Sequence, residues 1–109
     1  MAPRTRRKSL LAPRHPGALL REVVLPSLGM QVKDVAARLN ITRQTLHRIL
    51  AETAAVTPEM ALRLGKFCGN GPELWLGMQE AHDLWHAERA LRTEISRIKP
   101  AKTAAAPVA

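Results

Sequence analysis

The stretch from Val32 to Ile49 limits the possible folds of this chain more than any other part of it. It holds two short runs of apolar residues at helical spacing, separated by three residues that interrupt the pattern. Two crossing helices need a small contact residue, a turn residue that tolerates positive φ, an apolar turn residue, a capping hydroxyl and apolar residues that return to the core. These needs are met in order by Ala36, Asn40, Ile41, Thr42, Leu46 and Ile49. The sequence therefore predicts a helix-turn-helix over about residues 31–50.

Prolines, glycines and capping residues divide the rest of the chain into further helices. Pro16 fits the first turn of a helix that should end near Leu25, because Pro26 disfavours helical backbone before it. Thr57 places a capping hydroxyl directly before a proline, which predicts another helix start. The chain has no Tyr and only one Phe, which favours helices over sheets. We expect an all-α, five-helix domain with helices over about residues 16–25, 31–39, 42–51, 58–68 and 72–98.

The excess positive charge lies at the two ends of the chain. The net charge is +8, yet residues 1–15 hold five cations, residues 97–109 hold three, and neither segment holds an acid. The remaining cations, 17 − 8 = 9, are balanced by all nine acids. We expect a basic flexible arm over residues 1–14, a folded domain over 15–98 and a second flexible tail over 99–109. Net charge alone is therefore a weak argument that the folded domain binds nucleic acid.

The outer side of the second helix of the motif is rich in hydrogen-bond donors. Such side chains suit the base edges and phosphates of DNA. A solvated basic helix face could have the same composition, but the register of the helix-turn-helix favours contact with DNA. The predicted DNA-binding residues are Thr42, Arg43, Gln44, Thr45, His47 and Arg48, together with Arg38.

The last predicted helix has more apolar residues than one small domain can bury. Trp75 fits the core, whereas Trp85 is expected nearer a protein interface. An apolar stripe that outruns its own core usually packs against a partner. The predicted dimer or partner interface consists of Leu84, Trp85, Leu91 and Ile95.

Other chemistries have little support in the sequence. His82 and His86 lie four residues apart on one predicted helix, but no third ligand is specified, so we expect no metal and no other cofactor. We see no Gly-rich phosphate loop and no catalytic triad in a recognisable context, so we expect a protein that is not an enzyme. The single cysteine, Cys68, excludes an internal disulfide and fits a cytoplasmic location. No apolar stretch approaches the roughly 20 residues of a membrane span.

Several separate motifs resemble one family over about residues 15 to 90. They are His15-Pro16-Gly17-x-x-Leu20-Arg21, Pro26-x-Leu28-Gly29, the helix-turn-helix with Ile49-Leu50, Thr57-Pro58-Glu59-Met60-Ala61-Leu62-Arg63-Leu64, Trp75-Leu76-x-Met78-Gln79 and Asp83-Leu84-Trp85. The chain resembles HigA-type antitoxins, which belong to the Cro/repressor-like class of regulators. The resemblance implies a five-helix repressor-like domain that acts as a homodimer on a roughly palindromic operator in double-stranded DNA. It also implies repression of its own operon and neutralisation of a partner toxin, a ribosome-dependent nuclease that cleaves mRNA.

Two positions differ from the pattern of that family. The family usually begins its second helix with a Ser cap and Gln, where this chain has Gln31-Val32. After the recognition helix the family commonly has Asn-Gly and a basic residue, where this chain has Ala51-Glu52-Thr53. An acid there is a poor neighbour for phosphate. Two alternatives therefore stay open: a stand-alone repressor-like regulator without a toxin, and a protein-interaction module that has lost operator binding.

Overall fold

The computed structural model describes residues 11–101, and within that range every regular element is a helix. Six helices follow one another within these described residues. Helix α1 consists of three consecutive segments, Pro16–Leu19, Leu20–Val24 and Leu25–Leu28; the others are α2 (Val32–Leu39), α3 (Arg43–Leu50), α4 (Pro58–Cys68), α5 (Pro72–Ala90) and α6 (Arg92–Ser96). The all-α class predicted from the sequence is confirmed.

The first helix is longer than predicted. We expected it to end near Leu25, but it runs to Leu28 and ends at Gly29, which has a φ of 65°. The middle segment is a wider π-helical turn, in which the Leu25 N–H donates to the Leu20 carbonyl, five residues back. Pro26 therefore lies in the first turn of a new α-helical segment, where its missing N–H costs little. The π turn lets the helix continue through a proline that was expected to end it.

The last predicted helix is two helices. Helix α5 stops at Ala90, Leu91 has a non-helical φ of −107°, and α6 follows from Arg92 to Ser96. The only residues that α5 buries are Trp75 and Gln79, and every described residue after Trp85 is exposed. Since tertiary packing supplies most of the stability of a helix, the exposed end has little to keep it regular.

The predicted tails lie mostly outside the described residues, namely at positions 1–10 and 102–109. Arg14, the last residue of the predicted arm, is described and forms an ion pair with Glu22 at 2.8 Å. The domain limits at residues 14 and 98 stay predictions.

The core lies where α1, α2, α3, α4 and α5 meet, on the inner side of the two helices of the motif. Trp75 is fully buried, as predicted, and its indole N–H donates to the Asn70 side chain at 2.9 Å. The buried apolar residues are Leu20, Val35, Ala36, Leu39, Leu46, Ile49, Leu50, Val56, Met60, Ala61, Leu64 and Trp75. Ala36, Leu46 and Ile49 are among them, so the inward-facing residues of the motif are placed as the sequence predicted.

The start of α1 lies directly against the end of α3. A Cβ atom at Gly17 would lie 1.8 Å from the backbone oxygen of Ile49, which is closer than any two such atoms can approach. Glycine at position 17 therefore allows the contact that fixes the end of α3 relative to α1.

We expect Gly17→Ala to lower the free energy of unfolding by about 1–3 kcal/mol, because two backbone segments must separate. Gly77→Ala is the matched control, since a Cβ at Gly77, within α5, meets nothing within 4 Å. Removing a glycine from a helix interior should stabilise the protein by about 0.5–1 kcal/mol. Urea unfolding followed by circular dichroism measures both changes; similar effects of the two variants would contradict the close contact at Gly17.

Candidate nucleic-acid interface

The turn between α2 and α3 has the predicted left-handed residue. Asn40 has φ 62° and ψ 45°, and its N–H donates to Ala37 at 3.1 Å. The Ile41 N–H donates to Ala36 at 3.0 Å, which closes the end of α2. Asparagine tolerates this conformation better than other residues with a Cβ. The helix-turn-helix geometry predicted between residues 31 and 50 is therefore present.

Arg63 of α4 hydrogen-bonds to the backbone at this turn. Its Nη1 atom donates to the Leu39 carbonyl at 2.9 Å, and its Nη2 atom donates to Glu59 at 2.9 Å. The last carbonyls of a helix lack helical partners, so a cation here satisfies one and stabilises the negative helix end. The sequence did not indicate this role, because a contact across 24 residues leaves no local signal.

Thr42 caps α3 as predicted. Its hydroxyl accepts the Thr45 N–H at 3.0 Å and donates to the Thr45 hydroxyl at 2.8 Å. The Thr45 hydroxyl retains its own proton for donation to another group. The two threonines thus fix the start of α3 and leave one hydroxyl donor there.

Four long polar side chains share the outer face of α3. Arg43, Gln44, His47 and Arg48 are exposed, whereas Leu46, Ile49 and Leu50 on the opposite side are buried. Within residues 11–101, none of the four side chains forms a hydrogen bond or ion pair. Their donors and acceptors are therefore available to a ligand along one helix face.

Arg38, near the end of α2, packs against α4 and does not lie on the outer face of α3. Its guanidinium lies over the Phe67 ring, 5.4 Å from the ring centre. Together with Arg63 and Lys66 it lines a surface pocket of about 420 Å³. Arg38 is exposed, but it belongs to a different cluster from the side chains of α3.

The first departure from the family pattern has a visible effect at the start of α2. Gln31 occupies the capping position with an extended backbone, φ −77° and ψ 155°, and its side chain makes no capping hydrogen bond. The first turn of α2 therefore lacks the side-chain cap that α3 and α4 have.

The second departure is an acid that already has a partner. Glu52 lies two residues after α3, in the left-handed region with a φ of 65°. Its carboxylate accepts from Arg21 at 3.1 Å, and Arg21 also donates to the Leu50 carbonyl at 2.6 Å and to Glu22 at 2.9 Å. These hydrogen bonds to Glu22 and Glu52 raise the pKa of Arg21. The acid that the sequence placed beside phosphate is therefore paired with a cation from α1.

The segment between α3 and α4 is held by α5 as well as α1. The side-chain oxygen of Gln79 accepts the Val56 N–H at 2.7 Å, and its amide donates to Asp83 at 2.9 Å. The ring of the buried His15 lies 5.0 Å from that of His82. The sequence did not indicate this role for Gln79, and the only available signal was a polar residue one turn after Trp75, on the inner side of the helix.

The histidines that suggested a metal are packed among themselves and against neighbouring side chains. The His82 ring lies 4.5 Å from that of His86, and its Nδ1 atom lies 3.3 Å from Asp83. In the described part of the chain, no three His, Cys, Asp or Glu residues lie close enough together to hold a metal ion.

The end of the molecule formed by α5 and α6 exposes the predicted partner residues. Arg89 lies over the ring of the half-buried Trp85, 4.0 Å from its centre. Leu84 is 61%, Leu91 41% and Ile95 54% exposed. The interface role of these residues stays a prediction. Among the described helices, none is long and apolar enough to cross a membrane.

Comparison with known proteins identifies the family. Residues 20–76 match the family model described as Helix-turn-helix. Antitoxin HigA-1 of Vibrio cholerae is 30% identical over 94 residues, which cover 86% of this chain and 89% of that protein. The chain belongs to the HigA-type helix-turn-helix family.

Two further relatives show the range of this HigA-type group. An uncharacterised helix-turn-helix transcriptional regulator of Haemophilus influenzae is 34% identical over 87 residues, covering 78% of this chain and 81% of that protein. The solved structure of antitoxin GraA in complex with its operator has a TM-score of 0.78 and 34% identity, and the match covers 89% of this chain and 99% of that one. The group therefore includes an antitoxin whose structure was solved in complex with its operator and a relative named only as a regulator.

His15, the first residue of the HigA-type motif, caps α1 only while it is neutral. Its Nδ1 atom accepts the Gly17 N–H at 2.9 Å, which a protonated ring could not do. Burial lowers the pKa of His15 from its ordinary value of 6.5, and nearby His82 adds to this effect. The unfolded chain therefore takes up this proton at a higher pH than the folded protein.

We expect the stability due to His15 to be complete above pH 6.5 and to be lost as the pH falls below 6.5 towards the lowered value. His15→Asn keeps a capping acceptor but does not titrate. Urea unfolding at a series of pH values should therefore show a shallower acid loss of stability in His15→Asn than in the unsubstituted protein. Equal slopes in the two proteins would show that His15 does not titrate differently on folding.

Proposed function

We propose that this protein is a sequence-specific DNA-binding repressor of its own operon and the antitoxin of a toxin–antitoxin pair. The main support is the outer face of α3, where Arg43, Gln44, His47 and Arg48 carry unpaired polar groups on a fully formed helix-turn-helix. The solved complex of GraA with its operator, which has the same fold, supports binding of an operator by this fold.

In this proposal α3 enters the major groove and reads base edges. Gln44 can donate to and accept from adenine, and an arginine can donate twice to guanine; each such pair contributes about 1–3 kcal/mol of discrimination. Arg43 and Gln44 stand in the first turn of α3, the part of a recognition helix that reaches base edges. His47, Arg48 and the Thr45 hydroxyl are assigned to phosphate or neighbouring base contacts.

The protein acts as a homodimer on a roughly palindromic operator. A single eight-residue recognition helix buries too little surface for tight binding, whereas two copies can bind half-sites one DNA turn apart. The exposed apolar residues of α5 and α6, Leu84, Leu91 and Ile95, together with Trp85, supply the surface that a second copy or a toxin can cover.

The partner is an mRNA-cleaving toxin, and the protein itself has no catalytic role and works in the cytoplasm. The support is the name of the relative HigA-1, an antitoxin. A stand-alone regulator is the second candidate, favoured by the relative from Haemophilus influenzae that is named as a transcriptional regulator. A short basic open reading frame beside this gene, whose product co-purifies with the protein, separates the first candidate from the second.

We expect Arg43→Ala combined with Gln44→Ala to abolish the preference for the operator while leaving weak binding to any duplex. Each lost contact should reduce discrimination by about 1–3 kcal/mol, or roughly 5- to 150-fold. Gel-shift titrations with the protein's own upstream DNA and a scrambled duplex measure this.

Arg38→Ala is the matched control for that experiment, because Arg38 packs on Phe67 and has no place on the outer face of α3. Its removal can weaken binding to all sequences equally, as loss of a phosphate contact does, but the preference should survive. If the preference survives in the Arg43/Gln44 double variant as well, α3 is not the reading helix.

We expect Leu91→Asp combined with Ile95→Asp to convert the dimer to a monomer, because two charges would be buried in an apolar contact. Leu62→Asp is the control, since Leu62 is 61% exposed but lies on α4. Size-exclusion chromatography with light scattering gives the masses. A monomer for the unsubstituted protein at micromolar concentration would rule out this interface.

A further inference from the structure

Arg21 is a surface cation held at the end of the recognition helix. Its Nη1 atom donates to the last carbonyl of α3, that of Leu50, at 2.6 Å, and its side chain is 43% exposed. A guanidinium in this position, next to the helix that carries Arg48, is well placed for a DNA phosphate. The Arg21 guanidinium is, however, already paired with two carboxylates, those of Glu22 and Glu52.

Glu52 is an unfavourable residue for the backbone at its position. Its φ of 65° lies in the left-handed region, which glycine adopts freely and which strains residues with a Cβ. Backbone geometry therefore does not explain a glutamate there. Its side chain contributes a negative charge at the end of α3 and the ion pair with Arg21 at 3.1 Å.

Glu52 also makes the local charge cluster neutral. Arg14 and Arg21 supply two positive charges, and Glu22 and Glu52 supply two negative ones, linked by ion pairs of 2.8–3.1 Å. Hydrogen bonds from Arg14 and then Arg21 lower the pKa of Glu22, so that acid stays charged. Without the charge of Glu52 the cluster would have one net positive charge.

We propose that the Arg21–Glu52 pair limits the affinity of this protein for DNA of any sequence. Glu52 keeps Arg21 from a phosphate at the end of α3. Since phosphate contacts supply nearly all non-specific binding, this pair lowers background binding and leaves discrimination to the face of α3. The inference rests on the proposed DNA binding by α3 and identifies a residue pair that sets how tightly the protein binds DNA of any sequence.

The test is Glu52→Gln, which keeps the shape of the side chain and removes its charge, while Arg21 retains Leu50 and Glu22 as partners. Binding to the operator and to a scrambled duplex should tighten by the same factor, about three- to tenfold near 0.1 M salt. The slope of log affinity against log salt should steepen by about one, as for one added phosphate contact. Thermal unfolding of each variant confirms that it is folded.

Two further variants decide the interpretation. Glu80→Gln makes the same change in net charge from an exposed position on α5 and should leave binding within twofold of the unsubstituted protein. Arg21→Met added to Glu52→Gln should remove the gain, because the released cation is gone. The proposal is overturned if Glu52→Gln does not tighten binding, if the gain is confined to the operator, if Glu80→Gln gives the same gain, or if the gain survives without Arg21.

The same titrations separate this inference from the proposed function. Operator preference in the unsubstituted protein tests the proposed function, and the ratio of Glu52→Gln to unsubstituted affinity on scrambled DNA tests the inference. Operator preference with an unchanged ratio rejects the inference alone, while absence of binding in both proteins at low salt rejects both.

Discussion

The contact between the first turn of α1 and the last turn of α3 determines how α3 is held. Gly17 allows the backbone of α1 to meet the Ile49 carbonyl, and His15 caps the same turn with a neutral imidazole. Arg21, one turn further along α1, donates to the Leu50 carbonyl. Because the two backbones meet closely and the Arg21 hydrogen bond joins the helices, the end of α3 cannot shift without moving α1.

The opposite end of α3 is fixed by independent contacts. Asn40 supplies the left-handed turn, Thr42 the cap, and Arg63 the hydrogen bond from α4 to the end of α2. The proposed reading of bases by α3 requires that its side chains be presented with little error, since a base contact depends on hydrogen-bond geometry. Support at both ends leaves only the outer face of α3 free.

The charged side chains also differ between α3 and the rest of the domain. The folded domain is close to neutral, and outside α3 the cations Arg14, Arg21 and Arg63 form ion pairs with acids. The cations of α3, by contrast, have no acidic partner in the described part of the chain. The positive charge that matters for a nucleic-acid contact is therefore a local property of one helix face, although the net charge of +8 belongs mainly to the chain ends.

The sequence alone determined the features that depend on neighbouring residues: the helix-turn-helix, its left-handed Asn40, the caps at Thr42 and Thr57, and the exposed face of α3. These follow from backbone preferences and from hydrogen bonds within a few residues, so local spacing is enough to predict them. Only the tertiary structure decided the π turn before Pro26, the break at Leu91 and the partners of Arg21, Arg63 and Gln79. Those contacts join residues more than 20 positions apart, or depend on how much packing a helix receives, and both are set by the arrangement of the helices rather than by any local pattern.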